Sequence, residues 1–80
     1  MYILTQDKKT LMEFGRIEVS TNITFKKDDK YVLIAFSRAS ANSTTNSTVI
    51  GTYPSEEVAL NELRNIYMAL NANQPVYEVR

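Results

Sequence analysis

The chain has no cysteine and no histidine, and only two glycines and two prolines. Without cysteine there is no disulfide framework, no thiol nucleophile and no thiolate metal site. Without histidine the chain lacks the commonest general base and the commonest transition-metal ligand. Its nine basic and nine acidic residues give a formal net charge of zero, so it has no overall electrostatic attraction to nucleic acid or to an anionic membrane.

The few glycines also exclude a glycine-rich phosphate-binding loop, because Gly15 and Gly51 stand far apart in the chain. The serine and threonine hydroxyls have no histidine or suitably placed lysine to activate them. We therefore predict that the protein is not an enzyme, that it binds no metal or cofactor, and that it has no catalytic residues.

Long apolar runs are missing as well. The apolar opening of residues 1–4 gives way at once to the polar stretch of residues 5–10, which is unlike a signal peptide. No stretch approaches the length that crosses a membrane. The 80 residues are enough for one small domain, residues 1–80, which we expect to be cytoplasmic and without membrane contact.

A helix over about residues 55–71 is the clearest element of the sequence. Ser55 is suited to cap its first turn, and Glu56 and Glu57 suit the positive end of the helix dipole. Asn tolerates the left-handed conformation and Pro75 cannot continue a helix, so residues 71–75 should end it. Apolar residues at helical spacing predict one buried stripe, made of Ala59, Leu63, Ile66 and Leu70.

The rest of the chain is typical of short strands. Residues 2–4, 12–19, 23–25, 31–36, 48–53 and 76–79 are rich in β-forming side chains. Within 12–19 the apolar pairs fall out of phase at Gly15, which predicts a bulge or tight turn there. The continuously apolar stretch 31–36 indicates a central strand buried on both faces.

This order predicts an α+β domain in which a curled antiparallel sheet of about five strands packs against the C-terminal helix, followed by a final short strand. A small barrel capped by the helix is the alternative packing. Residues 38–47 are polar and lack glycine and proline, and we expect them to form a flexible loop.

The segment Ile50-Gly51-Thr52-Tyr53-Pro54-Ser55-Glu56-Glu57 and the closing Val76-Tyr77 resemble a group of short uncharacterised proteins from Gram-positive bacteria and their phages. In that group a Leu-Gly-x-Tyr strand enters a Ser-Glu-Glu-capped helix, and a Val-Tyr strand follows. The opening residues 1–8 are similar too, whereas the loop 38–47 is longer than usual. The resemblance implies a phage or prophage setting and no catalytic residues.

Tyrosine is frequent for so short a chain, with five residues. Tyrosine combines apolar area with a hydrogen-bonding tip and is enriched at protein interfaces. Strand packing at the edge of the core is the other interpretation. The leading hypothesis is a protein-interaction module acting on a host or phage protein, with candidate contacts at Tyr31, Tyr53, Tyr67 and Tyr77. Homo-oligomerisation through an edge strand, residues 76–79 or 12–19, belongs to the same hypothesis.

The alternative hypothesis is a small nucleic-acid-binding module. Most of the basic residues lie in the first half of the chain, at predicted turns and strand ends, where a sheet could neutralise and stack single-stranded nucleic acid. Solvated lysines in turns are the simpler interpretation. The candidate contacts are Lys8, Lys9, Lys26, Lys27, Lys30 and Arg38.

Overall fold

A computed structural model describes residues 1–21, 30–37 and 47–80 of the chain. The elements are β1 (Tyr2–Leu4), β2 (Leu11–Thr21), β3 (Tyr31–Ser37), β4 (Ser47–Tyr53), α1 (Glu56–Asn71) and β5 (Val76–Glu78). The α+β class, the single C-terminal helix and the final short strand are confirmed. The predicted strand 23–25 lies outside the described residues, and so does the predicted loop 38–47 except for Ser47, which begins β4.

The five strands form one sheet in the order β4-β3-β2-β1-β5. Neighbouring strands are antiparallel except β1 and β5, which are parallel, so the sheet is mixed and not wholly antiparallel as predicted. The reason is that no hairpin joins β1 to β5. Helix α1 brings the chain back to the sheet, and a crossover of this kind allows a parallel pair.

Strand β2 is shared by the two halves of the sheet. Its first residues, Leu11–Glu13, pair with β1, and residues from Phe14 onward pair with β3. The register shifts between Phe14 and Arg16, which confirms the bulge predicted at Gly15. A bulge bends its strand and increases the local twist. This bend curls the sheet without closing it into a barrel.

Strand β3 lies between β2 and β4, which confirms its predicted central position. Leu33 and Ala35 are fully buried in the core beneath α1. Val32 and Phe36 on the opposite face are also buried. On that face the Arg16 guanidinium lies 4.1 Å from the centre of the Phe36 ring, a stacked cation–π arrangement.

The curled sheet brings Gln6, just after β1, to the outer edge of β4. The Gln6 N–H donates to the Ile50 carbonyl at 2.8 Å, and the Thr52 N–H donates to Gln6 Oε1 at 3.0 Å. Gln6 Nε2 donates to the carbonyls of Thr52 and Arg80, at 3.3 and 3.1 Å. This one side chain therefore links β4 to the segment that follows β5.

Helix α1 begins and ends as the sequence predicts. Ser55 is the N-cap, and its hydroxyl accepts a hydrogen bond from the Val58 N–H at 3.2 Å. Asn73, just beyond the helix, has a φ of 58°, the left-handed conformation that asparagine tolerates. The Gln74 N–H then donates to the Ala69 carbonyl at 3.1 Å, which satisfies one of the last free helix carbonyls.

The buried face of α1 differs from the predicted stripe. Ala59 and Ile66 are buried as expected, but Glu62 and Ala69 complete the buried set. Leu63 is only partly buried, and Leu70 is 48% exposed. The predicted stripe is therefore rotated about the helix axis relative to the buried face. The difference arises because Glu62 packs inward where the prediction placed a leucine.

Candidate interaction surfaces

The four candidate tyrosines occupy different environments. Tyr67, on α1, is 64% exposed, whereas Tyr53, at the end of β4, is only 3% exposed and belongs to the hydrophobic core. Tyr31 and Tyr77 are half-buried and pack against that core. The four therefore do not form one surface. Tyr67 is the member that is free to contact a partner, and Tyr53 acts as a core residue.

Gly51 makes room for the ring of Tyr53. A Cβ at position 51 would lie 2.3 Å from the Tyr53 hydroxyl oxygen, which is far closer than a normal contact. The Gly-x-Tyr sequence thus has a packing reason, since the tyrosine ring folds back over the glycine two residues earlier. The Tyr53 hydroxyl is buried, and no described residue forms a hydrogen bond with it. Burial, together with the negative charge of Glu62, raises the pKa of Tyr53 above its ordinary value.

Glu62 is a buried carboxylate that joins α1 to the C-terminal segment. Its Oε2 accepts from the Tyr77 hydroxyl at 2.9 Å and from the Arg80 N–H at 2.8 Å. Its Oε1 accepts from Asn65 Nδ2 at 3.0 Å. A buried charge is tolerated when its lone pairs are satisfied in this way. Burial and the hydrogen bond to Glu62 raise the pKa of Tyr77 to about 12.

The sequence did not single out Glu62, although its spacing carried a signal. Residues 59, 62, 66 and 69 recur at intervals of three, four and three, so Glu62 falls in phase with Ala59, Ile66 and Ala69. An acidic residue within such a stripe indicates a buried hydrogen-bonded carboxylate. The chain had no other feature that could name Tyr77 and Arg80 as its partners.

Three clefts meet around Arg80. One, of about 440 Å³, lies between α1 and β5. A second, of about 520 Å³, borders β5. The third, of about 400 Å³, lies between the first half of α1 and Gln6 and is bordered by Tyr53 and Glu62. The carboxylate of Glu62 already accepts from three donors, so it has little capacity left to bind a ligand in this third cleft.

The outer face of α1 carries an apolar seam, which we define as Leu60, Leu63, Tyr67 and Leu70. Its spacings of three, four and three are those of a coiled-coil seam. Leu60 and Leu70 are each 48% exposed, and Leu63 is partly buried. Exposed contiguous apolar surface is typical of interaction sites. The helical spacing predicts that Leu63 and Leu70 lie in the core, and so it does not predict this seam.

The candidate nucleic-acid contacts are only partly described. Lys26, Lys27 and Arg38 lie outside the described residues. Lys8 lies in the turn after β1 with a φ of 65° and forms an ion pair with Glu78. Lys9 and Lys30 are exposed, and they lie in the β1–β2 turn and directly before β3. The described residues therefore do not bring the lysines into one basic patch.

Other site classes find no support within the described ranges. No group of three or more acidic, histidine or cysteine side chains is placed to hold a metal ion among these residues. None of the helices there is long and apolar enough to span a membrane. No protein-family profile matches the chain, and searches of curated proteins and of solved structures found no match either. The resemblance to short phage proteins therefore stays a prediction.

Proposed function

We propose that the chain is a non-enzymatic protein-interaction module that binds an amphipathic helix of a host or phage protein through the apolar seam of α1. The observation that carries the proposal is the exposure of Leu60, Tyr67 and Leu70 on one face of a helix whose other face covers the sheet. The helix is about 24 Å long, which is enough for two heptads of a partner. Helix-in-groove and helix-pair recognition use this spacing of anchors.

The charges beside the seam favour a different protein over a second copy of the chain. Glu56 and Glu57 lie exposed at the start of α1, and the last turn has no basic residue. A parallel copy would bring the acidic ends together. An antiparallel copy would place them against a turn that offers no positive charge. A partner helix with basic residues opposite Glu56 and Glu57 satisfies both the charges and the apolar seam.

The test compares two neighbouring substitutions, Leu60→Lys and Asn61→Lys. Both positions are exposed and both changes add one positive charge, but only Leu60 belongs to the seam. The tagged variants and the wild-type protein are used to capture proteins from bacterial lysate, with and without nuclease. We expect a captured protein that survives nuclease, that is lost with Leu60→Lys and that is retained with Asn61→Lys.

A photo-crosslinking residue at position 67 then identifies the bound segment, which should be an amphipathic helix with basic residues. Equal capture by the two lysine variants would contradict the proposal. Size-exclusion chromatography that shows a dimer broken only by Leu60→Lys would assign the seam to a second copy. Capture that disappears with nuclease would favour the nucleic-acid hypothesis and its lysines, and its affinity should then fall steeply with salt.

A further inference from the structure

Strand β5 ends the sheet with an open edge. Among the described strands it pairs with β1 alone. The Tyr2 N–H donates to the Pro75 carbonyl and the Val79 N–H donates to the Leu4 carbonyl, both at 2.9 Å. Main-chain groups of successive residues in a strand point to opposite sides. The N–H and C=O groups of Val76 and Glu78 therefore point away from β1, where the sheet has no further described strand.

The opposite edge of the sheet is treated differently. At β4 the main chain and side-chain amide of Gln6 bond to Ile50 and Thr52, so this edge is partly covered by the protein itself. Exposed edges invite pairing with other chains, and proteins commonly protect them. Among the described residues, β5 has no partner along the whole of its outer edge. Of the expected alternative at 12–19, Met12 and Glu13 pair with β1, whereas Arg16–Val19 pair with β3 and with no other described strand.

Two clefts border β5. The cleft on the α1 side is lined by Met68, Ala69, Ala72 and Tyr77 together with the polar Asn65, Gln74 and Arg80, and it is more apolar than polar. The cleft of about 520 Å³ that borders β5 is lined by Gln6, Lys8, Gln74 and Glu78, and so is largely polar. Tyr77, Gln74 and Arg80 border both. An added strand would direct its side chains alternately to the two faces, as the clefts require.

We propose that the β5 edge binds an extended segment of a partner protein as a sixth strand. Main-chain hydrogen bonds to Val76 and Glu78 supply the pairing, and the two clefts select a segment in which apolar and polar side chains alternate. The apolar side chains face α1, and the polar ones face Lys8 and Gln74. This surface is separate from the outer face of α1, so each proposal can fail without the other.

A second copy of β5 fits this edge less well than a free segment. The side chains of Tyr77 and Val79 belong to the fold of their own subunit, since Tyr77 donates to Glu62 and Val79 is 1% exposed. In a second copy paired along β5, Tyr77 and Val79 would stay packed in their own subunit. They could not enter the clefts of the first copy, and those clefts would stay empty. β5 has only three residues for such pairing, whereas a stable interface buries about 800 Å² per partner.

The test uses a synthetic eight-residue peptide in which valine alternates with serine or glutamate, and a scrambled peptide of the same composition as control. Hydrogen exchange followed by NMR reports each amide separately. We expect the amides of Val76 and Glu78 to exchange rapidly in the free protein and to slow on addition of the alternating peptide. The amides of Tyr77 and Val79 should be protected in both states because they face β1.

Two further comparisons test the main-chain pairing. Val76→Pro removes an outward N–H that bonds no other described residue, and it should weaken peptide binding about tenfold, whereas Val76→Thr keeps that donor and should bind as the wild type does. Two further peptides are tested on the wild-type protein, each with N-methyl groups on alternate backbone nitrogens. The peptide methylated at the nitrogens that face β5 should not bind, and the peptide methylated at the other nitrogens should bind as the parent does. This second comparison does not depend on the folding of any variant.

The proposal is overturned if both methylated peptides bind like the parent, or if the scrambled peptide binds as well as the alternating one. It is also overturned if Val76 and Glu78 are already protected in a free dimer, since the edge would then belong to a second copy. Binding that shifts only the amides of α1 would place the peptide on the helix seam instead.

Discussion

At the scale of single residues, Glu62 shows how a polar side chain can organise a small core. It is 5% exposed, and it accepts hydrogen bonds from the helix itself, from β5 and from the residue that follows Val79. The last strand and its extension are thereby attached to α1 by polar contacts as well as by the apolar packing of Tyr77 and Val79. Removing the carboxylate leaves the Tyr77 hydroxyl and the Arg80 N–H without their partner.

We expect Glu62→Ala to lower the free energy of unfolding by about 2–4 kcal/mol, because buried donors without partners are costly. The matched control is Glu57→Ala, on the exposed side of the same helix, which should cost less than about 1 kcal/mol. Urea unfolding followed by circular dichroism measures both. Equal losses for the two variants would show that Glu62 does not anchor the C-terminal strand.

Gly51 and Tyr53 illustrate how far a local sequence can be interpreted. The Gly-x-Tyr pattern carries the resemblance to short phage proteins, and the structure gives it a steric reason, because the tyrosine ring occupies the space of a side chain at position 51. The abundance of tyrosine makes Tyr53 a candidate interaction residue in the sequence. Its burial follows from the direction in which β4 meets α1, and the residue type alone does not indicate that direction.

At the scale of elements, α1 has two apolar faces, one packed against the sheet and one exposed. The inner face packs Ala59, Ile66 and Ala69 on the sheet, and the outer seam leaves Leu60 and Tyr67 exposed. A helix with apolar residues on so wide an arc can be placed on a sheet in more than one rotation. The inward position of Glu62 favours the observed rotation, because there its carboxylate accepts from the Tyr77 hydroxyl and the Arg80 N–H.

The two faces predict opposite responses to truncation. Ile66→Ala should cost about 2–5 kcal/mol in the free energy of unfolding, since Ile66 is 2% exposed and its loss leaves a cavity. Leu70→Ala should cost less than about 1 kcal/mol, since that side chain is half exposed. Thermal and urea unfolding of the two variants provide the comparison. A larger loss of unfolding free energy for Leu70→Ala than for Ile66→Ala would show that Leu70 belongs to the core, as the sequence predicts, and would contradict the outer seam.

At the scale of the whole molecule, Gln6 holds the curled sheet together. Gln6 bonds to Thr52 in β4 and to Arg80 after β5, which lie 46 and 74 residues further along the chain. The bulge in β2 bends the sheet, and Gln6 then connects the two ends that the bend brings near each other. The connection is made by one side chain and one peptide N–H and not by a continuous ladder, which is why the sheet is curled but not closed.

We expect Gln6→Ala to lower the free energy of unfolding by about 1–3 kcal/mol, because four hydrogen bonds of the side-chain amide are lost at a half-buried site. The control is Gln74→Ala, at an exposed glutamine. Hydrogen exchange of the Thr52 amide should accelerate in the first variant and stay unchanged in the second. An unchanged exchange rate of the Thr52 amide in Gln6→Ala would show that the sheet keeps its curl without the hydrogen bonds of Gln6.

Local signals in the sequence were enough to determine the helix and its ends, the bulge at Gly15, the central strand β3 and the α+β class. Each of these depends on neighbouring residues, through capping, backbone freedom or the period of apolar side chains. Other features depend on residues far apart in the chain. These are the parallel pairing of β5, the hydrogen bonds of Gln6, the inward position of Glu62 and the exposure of Leu70. Only the tertiary structure brings those residues together, and it is there that the two candidate interaction surfaces arise.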